Sequence, residues 1–303
     1  MDSKAINIET VIDYIEDHLD TRLDLDTVAE AVHYSKYHLH RMFTQTVGMT
    51  IHDYVQRRQL TEAAKLLVFS EKPVIDIALL FGFKSQQSFS MAFKSIYKMP
   101  PAEYRKKRGF YPLQLRFELV RDAHGRELHV EDIRLAEKTD IQEWMELMRL
   151  AIDGYPAMNE DEYMASLTEA IGEGRAILLR DRDILVGTMI FSRDPACIDF
   201  LGIHPQYRRR GIEKMLLDAL MQEYLPGEEI SVTTYREGDR ADTGHRELLR
   251  RLGFAERELL VEFGYPTQRF VYGEQAVHGA AEKTQRSGAA GFAENEKGYG
   301  SGE

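Results

Sequence analysis

Residues 35–54, SKYHLHRMFTQTVGMTIHDY, return fifty residues later as SQQSFSMAFKSIYKMPPAEY at 85–104. Ser35 and Ser85, Leu39 and Phe89, Phe43 and Phe93, Met49 and Met99, Asp53 and Glu103, and Tyr54 and Tyr104 are the matched pairs. Upstream of each serine lies a short apolar pattern, Leu25, Val28, Ala29 and Val32 in one copy and Val74, Ile77, Ala78 and Phe81 in the other. A small alanine precedes a tight turn, His33-Tyr34 or Gly82-Phe83-Lys84, and a serine follows where a helix N-cap belongs. Each copy therefore reads as helix, turn, helix. The alanine lets two helices cross closely, and Leu39/Phe43 or Phe89/Phe93 give the second helix an apolar face one turn apart. Between the copies, 51–69 reads as one helix with a stripe of Tyr54, Val55, Leu60, Ala63, Ala64 and Leu67. About 19 residues at 1.5 Å give a rod of roughly 28 Å. That is near the ~34 Å between successive major-groove faces on one side of B-DNA.

Charge supports the same division. The chain of 303 residues carries a net charge of −11, which on average argues against nucleic acid. Lys and Arg number 2 against 9 acidic residues over 1–30, 13 against 5 over 31–110, and 24 against 36 over 111–303. The basic block coincides with the repeat and also holds His33, His38, His40 and His52. A plain helical bundle would explain the apolar positions but not this block. No apolar run approaches the ~20 residues of a membrane-spanning helix. Cys197 is the single cysteine, so no disulfide framework exists, and it has no partner at metal-ligand spacing, so no metal is expected. A start of Met-Asp-Ser-Lys-Ala-Ile-Asn has no secretory pattern, and a cytoplasmic location is expected.

YSKYHLHRMFTQTVG with GFKSQQSFSMAFKSIYKMPPAEYR makes 7–107 resemble the DNA-binding domain of the AraC/XylS family, especially its small multiple-antibiotic-resistance type activators. The resemblance implies that Lys36, Tyr37, His40 and Arg41 on the first recognition helix, and Gln86, Gln87 and Ser90 on the second, face the major groove. Arg can fork onto guanine and Gln onto adenine. Lys84, Lys94 and Lys106 suit phosphates, as do Lys107 and Arg108. His33 stands where a turn glycine is common and Met91 where Arg is frequent. Double-stranded DNA and RNA polymerase are the expected macromolecular partners.

Beyond Arg108 the pattern changes. Residues 113–120 and 127–135 alternate around Asp122-Ala-His-Gly125 and predict a hairpin. Helices follow at about 140–153, 159–172, 211–224 and 242–252, with strands at 176–180, 184–193, 197–203, 229–235, 256–263 and 268–272. The fold class is thus an all-α double helix-turn-helix domain over 1–108, a linker with an extra strand over 109–127, and an α/β (α+β) domain with a mixed sheet over 128–273. The stretch 274–303 has few large apolar residues and is expected to be a disordered tail.

In CIDFLGIHPQYRRRGIEKMLLDAL a strand ends at Ile203, Pro205 turns the chain, and a basic loop enters a helix at Gly211, a pattern suited to an anion at a helix N-terminus. With HRELLRRLGF this makes 128–272 resemble the GNAT (Gcn5-related) N-acetyltransferases. The resemblance implies that the strand ending at Ile203 splays from 230–234. It further implies that Ile203, Arg208, Arg209, Arg210, Gly211, Ile212 and Lys214 hold acetyl-CoA or another acyl-CoA. Asp199 is the candidate catalytic base. Three residues depart from the family: Glu213 replaces the last small residue of the loop, Leu249 falls where a thiolate-protonating Tyr is frequent, and Asp242 replaces an Asn. Two readings follow: a DNA-binding regulator whose second domain binds a small-molecule effector, acyl-CoA or amine, or a bifunctional regulator that also acetylates an amine. In a third, both domains serve only assembly.

Overall fold

Ser35 and Ser85 do cap helices. In a computed structural model that describes residues 3–21, 23–120, 127–151, 159–208, 210–262 and 264–273, the Ser35 side chain accepts from His38 N–H at 3.4 Å and Ser85 from Ser88 N–H at 3.1 Å. These serines open α3 (Lys36–Val47) and α6 (Gln86–Tyr97). The helices before them are α2 (Leu25–Ala31) and α5 (Val74–Leu80), and α1 (Ser3–Asp17), α4 (Ile51–Phe69) and α7 (Pro101–Lys107) complete the helical part. The turns superpose with an offset of 49, because Tyr34 N–H donates to Ala29 O and Phe83 N–H to Ala78 O. Lys84 then adds one residue before the second recognition helix. Both recognition helices end in a left-handed residue, Gly48 (φ +84) and Lys98 (φ +60), again fifty apart.

Helix α4 separates two cores. Ile51, Tyr54 and Val55 pack with α1 to α3 around Phe43, and Leu60, Ala63, Ala64 and Leu67 pack with α5 to α7 around Phe89 and Phe93. Burying this many large apolar side chains supplies the main stabilising term, at about 1.5–3 kcal/mol for each.

The expected hairpin is not formed. Residues 113–120 pair with no strand, and 121–126, which hold its turn, lie outside the described residues. The segment instead runs as a strap along α4. Leu113 enters the second helical core and Phe117 the first. Its backbone is satisfied by side chains in place of a ladder: Thr61 Oγ1 accepts from Leu113 and Gln114 N–H, both at 3.1 Å, and Tyr54 Oη accepts from Phe117 N–H at 3.0 Å. Alternating apolar residues need one buried face, and helices can provide it as well as a sheet does.

The second part is a seven-stranded mixed sheet in the order β1-β2-β3-β4-β5-β7-β6. Its strands are β1 (Arg134–Leu135), β2 (Ala176–Asp181), β3 (Ile184–Arg193), β4 (Ala196–Ile203), β5 (Ile230–Tyr235), β6 (Ala255–Glu262) and β7 (Tyr265–Tyr272). Helices α8 (Ile141–Ala151) and α9 (Glu160–Gly172) cover one face around Trp144, while α10 (Ile212–Ala219), continued by a π-helical turn (Leu220–Tyr224), and α11 (His245–Leu252) cover the other. Neighbouring strands are antiparallel except β4 and β5, which run parallel and meet in register only at Cys197 and Ser231. Past that point the two strands part, as the family resemblance implies. The stretch expected to be a tail, 274–303, lies outside the described residues.

Candidate DNA-reading face and coenzyme cleft

The outward side of the two recognition helices carries the expected readers. Lys36, Tyr37, His40 and Arg41 are exposed on α3, Tyr37 to 82 %. On α6, Gln86 and Gln87 are exposed and Ser90 is half-buried. Helical spacing puts Leu39, Met42 and Phe43 inward and leaves the readers between them outward. Lys36 alone among the readers makes an ion pair, with Asp26 at 3.3 Å, and both side chains are solvated, so the pair is worth little. Arg41, Gln86 and Gln87 have no hydrogen-bond partner among the described residues and keep their donors for another molecule. Lys84, Lys94 and Lys106 are exposed nearby in the sequence. His33 takes φ +58 where the second turn has Gly82 at φ +74. A side chain at that backbone costs about 1 kcal/mol relative to glycine.

The second site is a cleft of about 590 Å³ where β4 ends and α10 and α11 begin. Four of the expected coenzyme ligands, Ile203, Arg208, Gly211 and Lys214, line it together. Gly211 caps α10 at φ +78 with no side-chain hydrogen bond, so the first-turn N–H groups are left for an acceptor in the cleft. The positive end of the helix adds to the same effect, while the Lys214 ammonium at the cleft is held by the Asp218 carboxylate at 2.8 and 2.9 Å. Arg210 turns away, 3.7 Å from Asp181 and stacked on the Tyr207 ring. Ile212 is fully buried in the core, and Arg209 lies outside the described residues. Glu213 lines the cleft and is 8 % exposed, a carboxylate in the first turn of α10.

The residues suited to turnover are not gathered there. Leu249 is a buried core residue. Asp199 is exposed, sits at a bulge between β3 and β4, and accepts from Ser192 Oγ at 2.7 Å and Cys197 Sγ at 3.0 Å. Burial and the Asp199 carboxylate push the Cys197 thiol up to about 11. Asp242 accepts from Gly244 and His245 N–H at 2.9 and 2.8 Å, a turn that opens α11.

Sequence reasoning missed the contribution of α11 and of the helical part. His245 and Arg251 line the cleft, as does Gly48 from the end of α3. The Arg208 side chain lies against Gly48, with a Cβ built there falling 3.0 Å from Cδ. Two loops of the sheet part also hold the helical part and its strap: Gln206 Oε1 accepts from Val120 N–H of the strap at 2.7 Å, Arg57 Nη2 donates to Ala241 O at 2.9 Å, and Lys98 pairs with Asp239 at 2.5 Å. No local pattern announces contacts between residues 86 to 184 apart.

A helical pair of reading heads on one long connecting helix, joined to a sheet whose parallel strands splay beside a helix N-terminus, defines a DNA-binding regulator with an acetyltransferase-type domain. Comparison with known proteins agrees. Residues 28–107 match a helix-turn-helix domain family and residues 144–254 the acetyltransferase (GNAT) family. The chain is 41 % identical over 101 residues to the multiple antibiotic resistance protein MarA of Escherichia coli, covering 33 % of this chain and 80 % of that protein. It is 42 % identical over 106 residues to the transcriptional regulator Rob of Salmonella typhimurium, covering 35 % of this chain and 36 % of that one. A GNAT-family acetyltransferase structure from Bacillus cereus is 18 % identical, with 46 % of this chain and 95 % of that chain covered and a TM-score of 0.38. The chain belongs to the AraC-type helix-turn-helix regulators and carries a GNAT domain.

Proposed function

We propose that the protein is a sequence-specific transcriptional regulator in which 1–108 reads DNA and 128–273 binds an acyl-CoA as effector. The observation that carries the coenzyme half is the uncapped start of α10, which faces the cleft beside Lys214, Arg208 and the free edge of β4. First-turn N–H groups and Lys214 would hold the pyrophosphate, and β4 beyond Cys197 would offer backbone groups to the pantetheine. Bound acetyl-CoA supplies an activated thioester. Glu213 opposes this binding and lowers the affinity. Leu249 has no proton to give a departing thiolate, and Asp199 is held outside the cleft lining, which favours binding over turnover.

Calorimetry of the full chain with acetyl-CoA tests binding, and release of free thiol with a panel of amines tests turnover. Saturable binding without steady thiol release is expected. Steady release would replace this reading with a bifunctional acetyltransferase, and no heat at millimolar ligand would remove the coenzyme altogether.

A further inference from the structure

Arg57 is 3 % exposed, and a buried guanidinium is costly unless its donors find acceptors. Nη2 donates to Ala241 O across the junction of the helical and sheet parts, at 2.9 Å. Nη1 is buried with no acceptor, and so is the Oγ1 hydroxyl of Thr44 one element away. Both residues line one wall of a pocket of about 230 Å³ between the two parts. The opposite wall includes Arg240, exposed and without a partner among the described residues. Two carboxylates also reach this pocket, and both are engaged elsewhere. Asp53 accepts from the Thr50 hydroxyl at 2.7 Å, and Asp242 accepts from the two N–H groups that open α11. Neither makes an ion pair with Arg57 or Arg240.

What the pocket needs is acceptor oxygen. Its volume lies below the ~300–1,000 Å³ of sites for drug-sized ligands, so the occupant must be compact. We propose that the junction pocket is a second ligand site, for a small carboxylate or phosphate held between Arg57 and Thr44 of the helical part and Arg240 of the GNAT domain. Such an anion completes the hydrogen bonds of Arg57, and a guanidinium paired with an oxyanion makes the stronger, charge-assisted kind. It also bridges the two parts. The pocket shares Gly48 and Thr243 with the coenzyme cleft, so the two sites abut. Nothing in this assignment depends on the coenzyme reading.

The test titrates full-length protein with inorganic phosphate and with malonate at constant ionic strength, following thermal stability and heat. At least one probe should bind saturably, with affinity at least tenfold weaker in both Arg240→Ala and Thr44→Val. Lys65→Ala, at an exposed position on α4 that does not line the pocket, should leave that affinity unchanged. Absence of saturable binding by both probes would overturn the proposal. So would binding that keeps its strength in Arg240→Ala and Thr44→Val, or that vanishes in Lys65→Ala.

Discussion

Gly48 sits where the end of the first recognition helix meets Arg208 in the loop before α10, and Gly48→Ala perturbs both at once. At φ +84 an alanine costs about 1 kcal/mol through its backbone alone. Its Cβ would lie 3.0 Å from Arg208 Cδ and 3.2 Å from Nη1, closer than carbon packs comfortably. Arg208 is long and flexible, so it yields by a few tenths of an ångström or swings away instead of deforming the backbone. The added steric cost is then about 0.5–1.5 kcal/mol for an off-rotamer side chain, giving about 1.5–2.5 kcal/mol in all. Gly227→Ala is the control: its φ is +79 and a Cβ there meets nothing within 4 Å, so only the backbone cost of about 1 kcal/mol applies. Urea denaturation should show Gly48→Ala as the more damaging change. Acetyl-CoA affinity should fall about threefold to tenfold in Gly48→Ala and stay constant in Gly227→Ala, because a displaced Arg208 loses part of a charge-assisted contact. Equal stability losses in the two variants, together with unchanged acetyl-CoA affinity, would refute the idea that Arg208 is held between the helix end and the cleft.

For the DNA face, Arg41→Ala should cost about 1–3 kcal/mol at one base position and relax selectivity there, whereas Lys106→Ala should weaken all sequences alike and reduce the salt slope by about one. Competition binding with singly substituted operators distinguishes them, and identical profiles for the two variants would contradict the assignment. For pH, burial reinforced by the Arg208 charge pulls the His204 imidazole down to about 4, against about 6.5 in an unfolded chain. Between those values the unfolded chain binds more protons, so stability falls as pH drops through this window, by about 2 kcal/mol at pH 5. His204→Gln should flatten that part of the stability profile, and parallel profiles for variant and parent would show that His204 is not its source.

The repeat was legible because its signals are local: serine caps, a small alanine before each turn and apolar residues one turn apart all lie close together in the chain. The strands and helices of the second part were readable for the same reason. The strap at 113–120 was misread because alternation reports a buried face but not what covers it, and here Thr61 and Tyr54 stand in for a partner strand. Of the loop residues singled out in the sequence, Ile203, Arg208, Gly211 and Lys214 line the cleft. Arg210 was not distinguishable from Arg208 by sequence, since only the fold decides that one meets Asp181 and Tyr207 while the other meets the cleft. The junction residues Arg57, Lys98 and Asp239 carry no local signature at all, because their roles exist only once two separately folded units touch.

The two helix-turn-helix units repeat one pattern, yet equivalent positions make different contacts. The left-handed residue ending the first recognition helix, Gly48, abuts Arg208 on one rim of the cleft, while its counterpart fifty residues on, Lys98, is paired with Asp239 in the loop that leads to the other rim. The sheet part therefore meets the end of each recognition helix, besides its contact with Arg57 on the connecting helix. The contacts at Gly48 and Lys98 thus tie both helix-turn-helix units to the loops that border one cleft of the sheet part.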